Sequence, residues 1–175
     1  MVFKPILMEN KAFTLIELLV VVSIIVLITA LTLPNYRLGD NQLAIQRSSH
    51  KVSQDLRRAQ EFAISVKDFN GSVPNGYGLY FDLDQPDRYL VFADLDGDHV
   101  YSSPSEKSEE IILEGNVTLG SLTPIAPDNS LNVFFAPPNP TISFLPNAAT
   151  ATINIKVAAS QKNIQVNKAG LINVE

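Results

Sequence analysis

The stretch KAFTLIELLVVVSIIVLITALTLP, Lys11 to Pro34, constrains this chain more than any other. From Phe13 to Leu33 it runs roughly 21 residues, which at about 1.5 Å of rise each reaches across the ~30 Å hydrocarbon core of a bilayer as a helix. Apart from a few hydroxyls, Glu17 is its one polar side chain. A carboxylate in hydrocarbon costs on the order of several kcal/mol, less near the head groups, so an acid there usually has a partner or a job. Glu17 is therefore a candidate functional residue by default.

Simpler explanations of the run fit less well. A secretory signal peptide has a basic start, here Lys4 and Lys11, but its apolar region spans about 7–15 residues and is followed by a small-residue cleavage site. This run is too long and the acid is badly placed. A lipoprotein is excluded because the chain has no Cys to carry the lipid. A plain single-span anchor fits the length and leaves Glu17 unexplained.

Beyond Pro34, the segment to Asn70 carries Leu56, Ala59, Ala63 and Val66 at helical spacing with charges between them. This predicts an amphipathic helix that follows a weak zone at Pro34 to Gly39, stops at Asn70-Gly71, and buries its stripe against the domain that follows. From Tyr77 the pattern changes to short β-branched and aromatic runs divided by turn formers: YGLYFDL, RYLVFAD, EIILEG, NVTLGSL, LNVFFA, TISFL, ATINIKVAA, KNIQVN and GLINV. Short strands in succession predict an antiparallel sheet or a two-sheet sandwich. ATINIKV alternates as a strand with one wet face should. Pro124 to Asn129 and Pro137 to Pro140 are loops or strand edges. The length, 175 residues, allows an anchor and one globular domain, and with no cysteines its stability must come from the core.

Charge is uneven. The net of −5 comes from the segment Asp82 to Glu114, with ten acids against Arg88 and Lys107, while the preceding helix is mildly basic. A nucleic-acid site wants a basic stripe that displaces counterions, and the β region lacks one, which argues against a nucleic-acid partner. Within the acidic block, DLDGD places Asp94, Asp96 and Asp98 at alternate positions, as in the first half of a calcium loop. His99 stands where such a loop has Gly, and the twelfth position is Ser105, with Glu106 one place late. The competing reading is a hairpin turn, which an Asp-Gly pair suits. Calcium is thus the one cofactor in view, and none is required. Nothing points to catalysis: the chain has two His and no phosphate loop or nucleophile elbow.

The N-terminal string resembles the class III signal peptides of type IV pilins and type II secretion pseudopilins. The resemblance implies that a prepilin peptidase cuts between Ala12 and Phe13 and methylates Phe13, although the family normally has Gly where Ala12 stands. It makes Glu17 an assembly residue, pairing with the free amine of a neighbouring subunit as helices pack into a filament, and it makes Pro34 a helix-loosening break. DLRRAQEFAIS, NGYGLYF, LVFADLDGD and KNIQVNKAGLINV are similar to the GspH- and FimT-like minor branch. The expected fold is then α+β, with a long transmembrane and stalk helix packed on an antiparallel sheet or sandwich. The expected divisions are a leader (1–12), a membrane helix (13–33), a stalk (34–70) and a periplasmic β domain (71–175). The expected partners are other pseudopilins, the peptidase, an inner-membrane assembly platform and the membrane itself. A minor type IV pilin serving pilus priming, adhesion or DNA uptake is the alternative within the family; a membrane-tethered binding module is the alternative outside it.

Overall fold

The computed structural model describes residues 13–138 and 141–175, with the main chain alone for 33–38. The leader, Ala12 and the end of the Pro137 to Pro140 loop lie outside them. The chain divides into two compact units at Gly39/Asp40. One helix, α1, is assigned over Leu15–Ile64, so Pro34 and Gly39 do not end it.

In the first unit, Leu15–Thr32 is apolar and long enough to cross a membrane, and none of it is buried by the rest of the chain. Its hydroxyls are compatible with lipid. Ser23, Thr29 and Thr32 each donate to the carbonyl four residues back, at 2.8, 2.8 and 3.1 Å. No hydroxyl in this span therefore needs water.

The second unit is α+β. Residues from Asp40 to Ile64 of α1 bury Ile45, Val52, Leu56, Ala59 and Ala63, which recur at the spacing of one helical face. Burying each of the three larger side chains is worth about 2 kcal/mol. All nine expected strands form among the described residues: β1 (Gly76–Asp82), β2 (Arg88–Asp94), β3 (Lys107–Ile112), β4 (Thr118–Thr123), β5 (Ser130–Ala136), β6 (Thr141–Leu145), β7 (Thr150–Val157), β8 (Ser160–Asn167) and β9 (Ile172–Val174). They make a five-stranded sheet, β3-β2-β1-β5-β6, and a four-stranded one, β4-β7-β8-β9. Every pairing is antiparallel. The helical stripe and both sheets share one hydrophobic core.

The two sheets differ in how their faces are covered. In β7, Ala151, Ile153, Ile155 and Val157 are buried between more exposed neighbours, as alternation predicts. In β1 and β5 burial is nearly continuous. The cause is the segment between β2 and β3, which lies over the sheet's second face. There Phe92, Phe134, His99 and Tyr101 form an aromatic layer, with His99 stacked 4.5 Å from Phe134 and Tyr101 packed 6.1 Å from Phe92. Gly78 makes the layer fit, because a Cβ there would sit 2.6 Å from the Phe92 ring.

The helix ends at Ile64, not at Asn70-Gly71. Lys67 N–H donates to the Phe62 carbonyl (3.0 Å) and Val66 N–H to that of Ala63 (3.1 Å), the paired bonds of a Schellman cap. Asn70 and Gly71, both at positive φ, instead form a separate tight turn closed by Phe69 and Ser72. The cap puts Val66 at φ 48, a left-handed conformation costly for a β-branched residue, while its side chain stays 45% exposed. Val66→Gly should relieve the strain and lose little packing. We expect it to raise the unfolding free energy by about 1 kcal/mol in denaturant titrations of the detergent-solubilised chain; no gain would show that the cap carries no strain.

Candidate functional site

The N-terminal site is set by the first turn of α1. Phe13 and Thr14 precede the helix, which begins at Leu15. Thr14 caps it, its Oγ1 accepting the Glu17 N–H at 3.3 Å. Thr14-Leu15-Ile16-Glu17 is the T-x-x-E pattern of a capping box, of which this bond is one half. Glu17 thus has a local reason to be where it is, since a carboxylate in the first turn also suits the positive end of the helix dipole. Its carboxylate has no hydrogen-bond partner among the described residues, unlike the hydroxyls further along the helix.

A second site lies between β2 and β3. The chain does not make a tight hairpin there; it runs through Leu95 to Ser103 and a 3-10 turn, Pro104–Glu106, before re-entering the sheet. Asp94, at the end of β2, is fully buried, and its two oxygens accept the N–H groups of Gly97 (2.6 Å) and His99 (3.2 Å). His99 sits at φ 67, the left-handed geometry a calcium loop asks of Gly. Glu106 is 1% exposed, and its carboxylate accepts from the N–H groups of Leu95, Ser102 and Ser103 at 3.2, 3.0 and 3.2 Å. Tyr101 N–H donates to Asn132 Oδ1 on β5 (3.0 Å), fastening the far side of the segment.

Carboxylate oxygens of Asp94, Asp96 and Glu106 lie within 4.8 Å of one another, so the acids that converge are not the three expected. Asp98 turns instead to its own loop, its Oδ1 accepting the Val100 N–H (2.9 Å). Glu106 takes its place, twelve residues beyond Asp94 and outside any linear calcium-loop spacing. A signal for it was present in Ser103-Pro104-Ser105-Glu106, a capping box with proline at the first helical position. The donor set is all oxygen, as a hard cation requires, but both buried carboxylates already accept main-chain N–H groups. What the arrangement does by itself is clamp the segment over the aromatic layer.

An open cleft of about 270 Å³ adjoins the clamp, lined in part by Tyr80, Asp82, Arg88, Tyr101 and Glu110. Apart from Asp82, its charges are internally paired. Arg88 bonds Asp87 and Glu110, which hold both carboxyls below the usual carboxylate range.

No protein-family model, curated protein or solved structure matches this chain significantly.

Burial pushes the Asp94 carboxyl above the ordinary carboxylate range; the N–H groups of Gly97 and His99 pull it partly back, and Asp96 adds to the rise. A folded value raised above the unfolded one, about 3.9, contributes stability that is fully present below that pH and is lost as pH rises through the folded value. The stability advantage of the wild type over Asp94→Asn should therefore be largest near pH 3 and shrink toward pH 7. Denaturation curves of both chains at the two pH values check this, and an advantage that grows with pH would overturn it.

Proposed function

We infer that this protein is a minor pseudopilin of a type II secretion system, most similar in kind to the GspH- and FimT-like branch. In this reading it is held in the inner membrane by Phe13 to Leu33 with its α+β unit in the periplasm. It then joins a short filament that helps move folded proteins across an outer membrane. The observation that carries the reading is Glu17, the one carboxylate in the Leu15–Thr32 span, in the first helical turn with no partner among the described residues. The FTLIE string supports it, as does an α+β unit in which a helix packs on antiparallel sheets.

The proposed mechanism is assembly. A peptidase cuts before Phe13 and methylates it. The mature amine of one subunit then meets Glu17 of its neighbour while the apolar helices leave lipid to pack together. An amine beside a carboxylate in low dielectric relieves the desolvation cost each would bear alone, so the pair selects one axial register. Pro34 would loosen the helix on that path.

Glu17→Ala should insert and be processed normally but fail to crosslink to filament subunits. Crosslinking in membranes followed by mass spectrometry reads both the N-terminus and the partners. A methylated Phe13 with secretion pseudopilins attached supports the reading, and pilus subunits in their place assign the protein to a type IV pilus. Normal incorporation of Glu17→Ala would sink the assembly role. Calcium binding by Asp94, Asp96 and Glu106 is a separate, lesser proposal. Heat uptake in calorimetry that vanishes in Glu106→Gln supports it, and a flat titration at millimolar calcium removes it.

A further inference from the structure

We propose that Asn70 is a site of spontaneous deamidation in the folded chain, with the Asp68 carboxylate as its base, and that the fold blocks the same chemistry at Asn75. The chain holds two Asn-Gly pairs, Asn70-Gly71 and Asn75-Gly76. In such a pair the glycine nitrogen can attack the side-chain amide before it, since no Cβ crowds the approach and closure of a five-membered ring has the advantage of proximity. The sequence makes the two pairs equal, and the structure separates them.

Asn70 and Gly71 form the exposed tip of the tight turn that follows α1, at φ 52 and 81. Two main-chain bonds close that turn, from Phe69 N–H to the Ser72 carbonyl (2.9 Å) and from Ser72 N–H to the Phe69 carbonyl (3.0 Å). The Asn70 side-chain amide has no hydrogen-bond partner among the described residues. A turn held by so little opens at small cost, which lets Asn70 leave the left-handed region and bring its Cγ against the Gly71 nitrogen. Gly71 N–H already donates to Asp68 Oδ2 at 3.1 Å. At rest an amide N–H is too weak an acid to give that carboxylate its proton, but it acidifies as the nitrogen forms its new bond, and a base within hydrogen-bond reach then takes it. Gly71 N bonds to Asn70 Cγ, Asp68 passes the proton to the departing Asn70 nitrogen, and ammonia leaves behind a succinimide. Water opens the ring at either carbonyl, giving aspartate or isoaspartate at position 70. Both products set a second carboxylate near Asp68, and isoaspartate adds a methylene to the main chain of the turn.

Asn75 is held where Asn70 is free to move. Its N–H donates to the Asp94 carbonyl at 2.8 Å, and its side-chain amide reaches the same oxygen at 3.5 Å. Gly76 opens β1, is buried and pairs with Asp94. A Cβ there would lie 2.3 Å from the Phe135 carbonyl oxygen, so the main chain at Gly76 is enclosed by its neighbours. Its nitrogen can turn toward the Asn75 side chain only if the start of β1 comes apart.

The test incubates the full-length chain in detergent micelles at mildly alkaline pH. Peptide mass spectrometry follows each amide, and isoaspartyl methyltransferase labelling identifies the product. In the folded chain Asn70 should convert at least about tenfold faster than Asn75, whereas in urea the two should convert at similar rates. Asp68→Ala changes one exposed side chain and should slow Asn70 severalfold. An Asp68 that only braced the turn would give the opposite result, because losing its bond loosens the turn. The site is overturned if Asn70 stays intact in the folded chain while both pairs convert in urea, or if both convert equally in the folded chain. Unchanged or faster conversion in Asp68→Ala overturns the role of the base.

Discussion

The second unit depends on how one buried carboxylate on α1 is satisfied. Asp55 is 2% exposed and accepts from Tyr89 Oη on β2 at 2.7 Å and from Lys51 at 3.1 Å, with an Arg58 guanidinium nitrogen 3.3 Å away. Arg58 then continues to Glu109 on β3. Burial, and then the bond to Asp55, push the Tyr89 hydroxyl far above its ordinary range, so the phenol keeps its proton and is the donor. Taking away the Tyr89 hydroxyl leaves a buried carboxylate short of a hydrogen bond, at a cost of about 1–3 kcal/mol. A hydrophobic stripe can slide along a sheet by a turn of helix; this set of bonds cannot. It fixes which helical residues face β2 and β3.

The same sheet is closed on its other face by a segment with little regular structure, and its order comes from acids used as acceptors. A loop laid over a sheet must find partners for its N–H groups away from water, or lose about 1–3 kcal/mol for each orphan. Asp94 and Glu106 supply them for five residues, at bond lengths of ordinary hydrogen bonds. The carboxylates and the aromatic layer are interdependent. Phe92, Phe134 and His99 stay covered because the acids hold the segment down, and the acids stay desolvated because the segment covers them.

Most of the strands were legible because two local signals agreed: alternation or β-branched density inside each run, and Gly, Pro, Asn or Asp between runs. RYLVFAD coincides with β2 residue for residue. The helix end was not legible, because Val66 continues the apolar spacing of Leu56, Ala59 and Ala63 although the chain reverses there. Periodicity reports which side a residue would face if the helix went on; it carries no information about backbone sign. The acid cluster was half legible for a related reason. Asp94 and Asp96 are neighbours in sequence, whereas Glu106 arrives through a 3-10 turn whose cap was visible but whose destination was not. Asp55 and Tyr89, thirty-four residues apart, leave no mark that pairs them.

In the apolar helix the polar groups separate into two kinds. Ser23, Thr29 and Thr32 return their hydrogen bonds to the preceding turn, so in hydrocarbon they behave almost as apolar side chains. Glu17 cannot do this, because a carboxylate has no proton to give back and the main-chain carbonyls around it are acceptors too. Its own N–H is taken by Thr14, which holds the first turn in place and leaves the side chain uncommitted. A neutral glutamine would cap the helix as well and cost less to hold near lipid. The helix dipole favours a carboxylate in the first turn, and a cation from the membrane interface or from another helix would offset what remains of its desolvation cost.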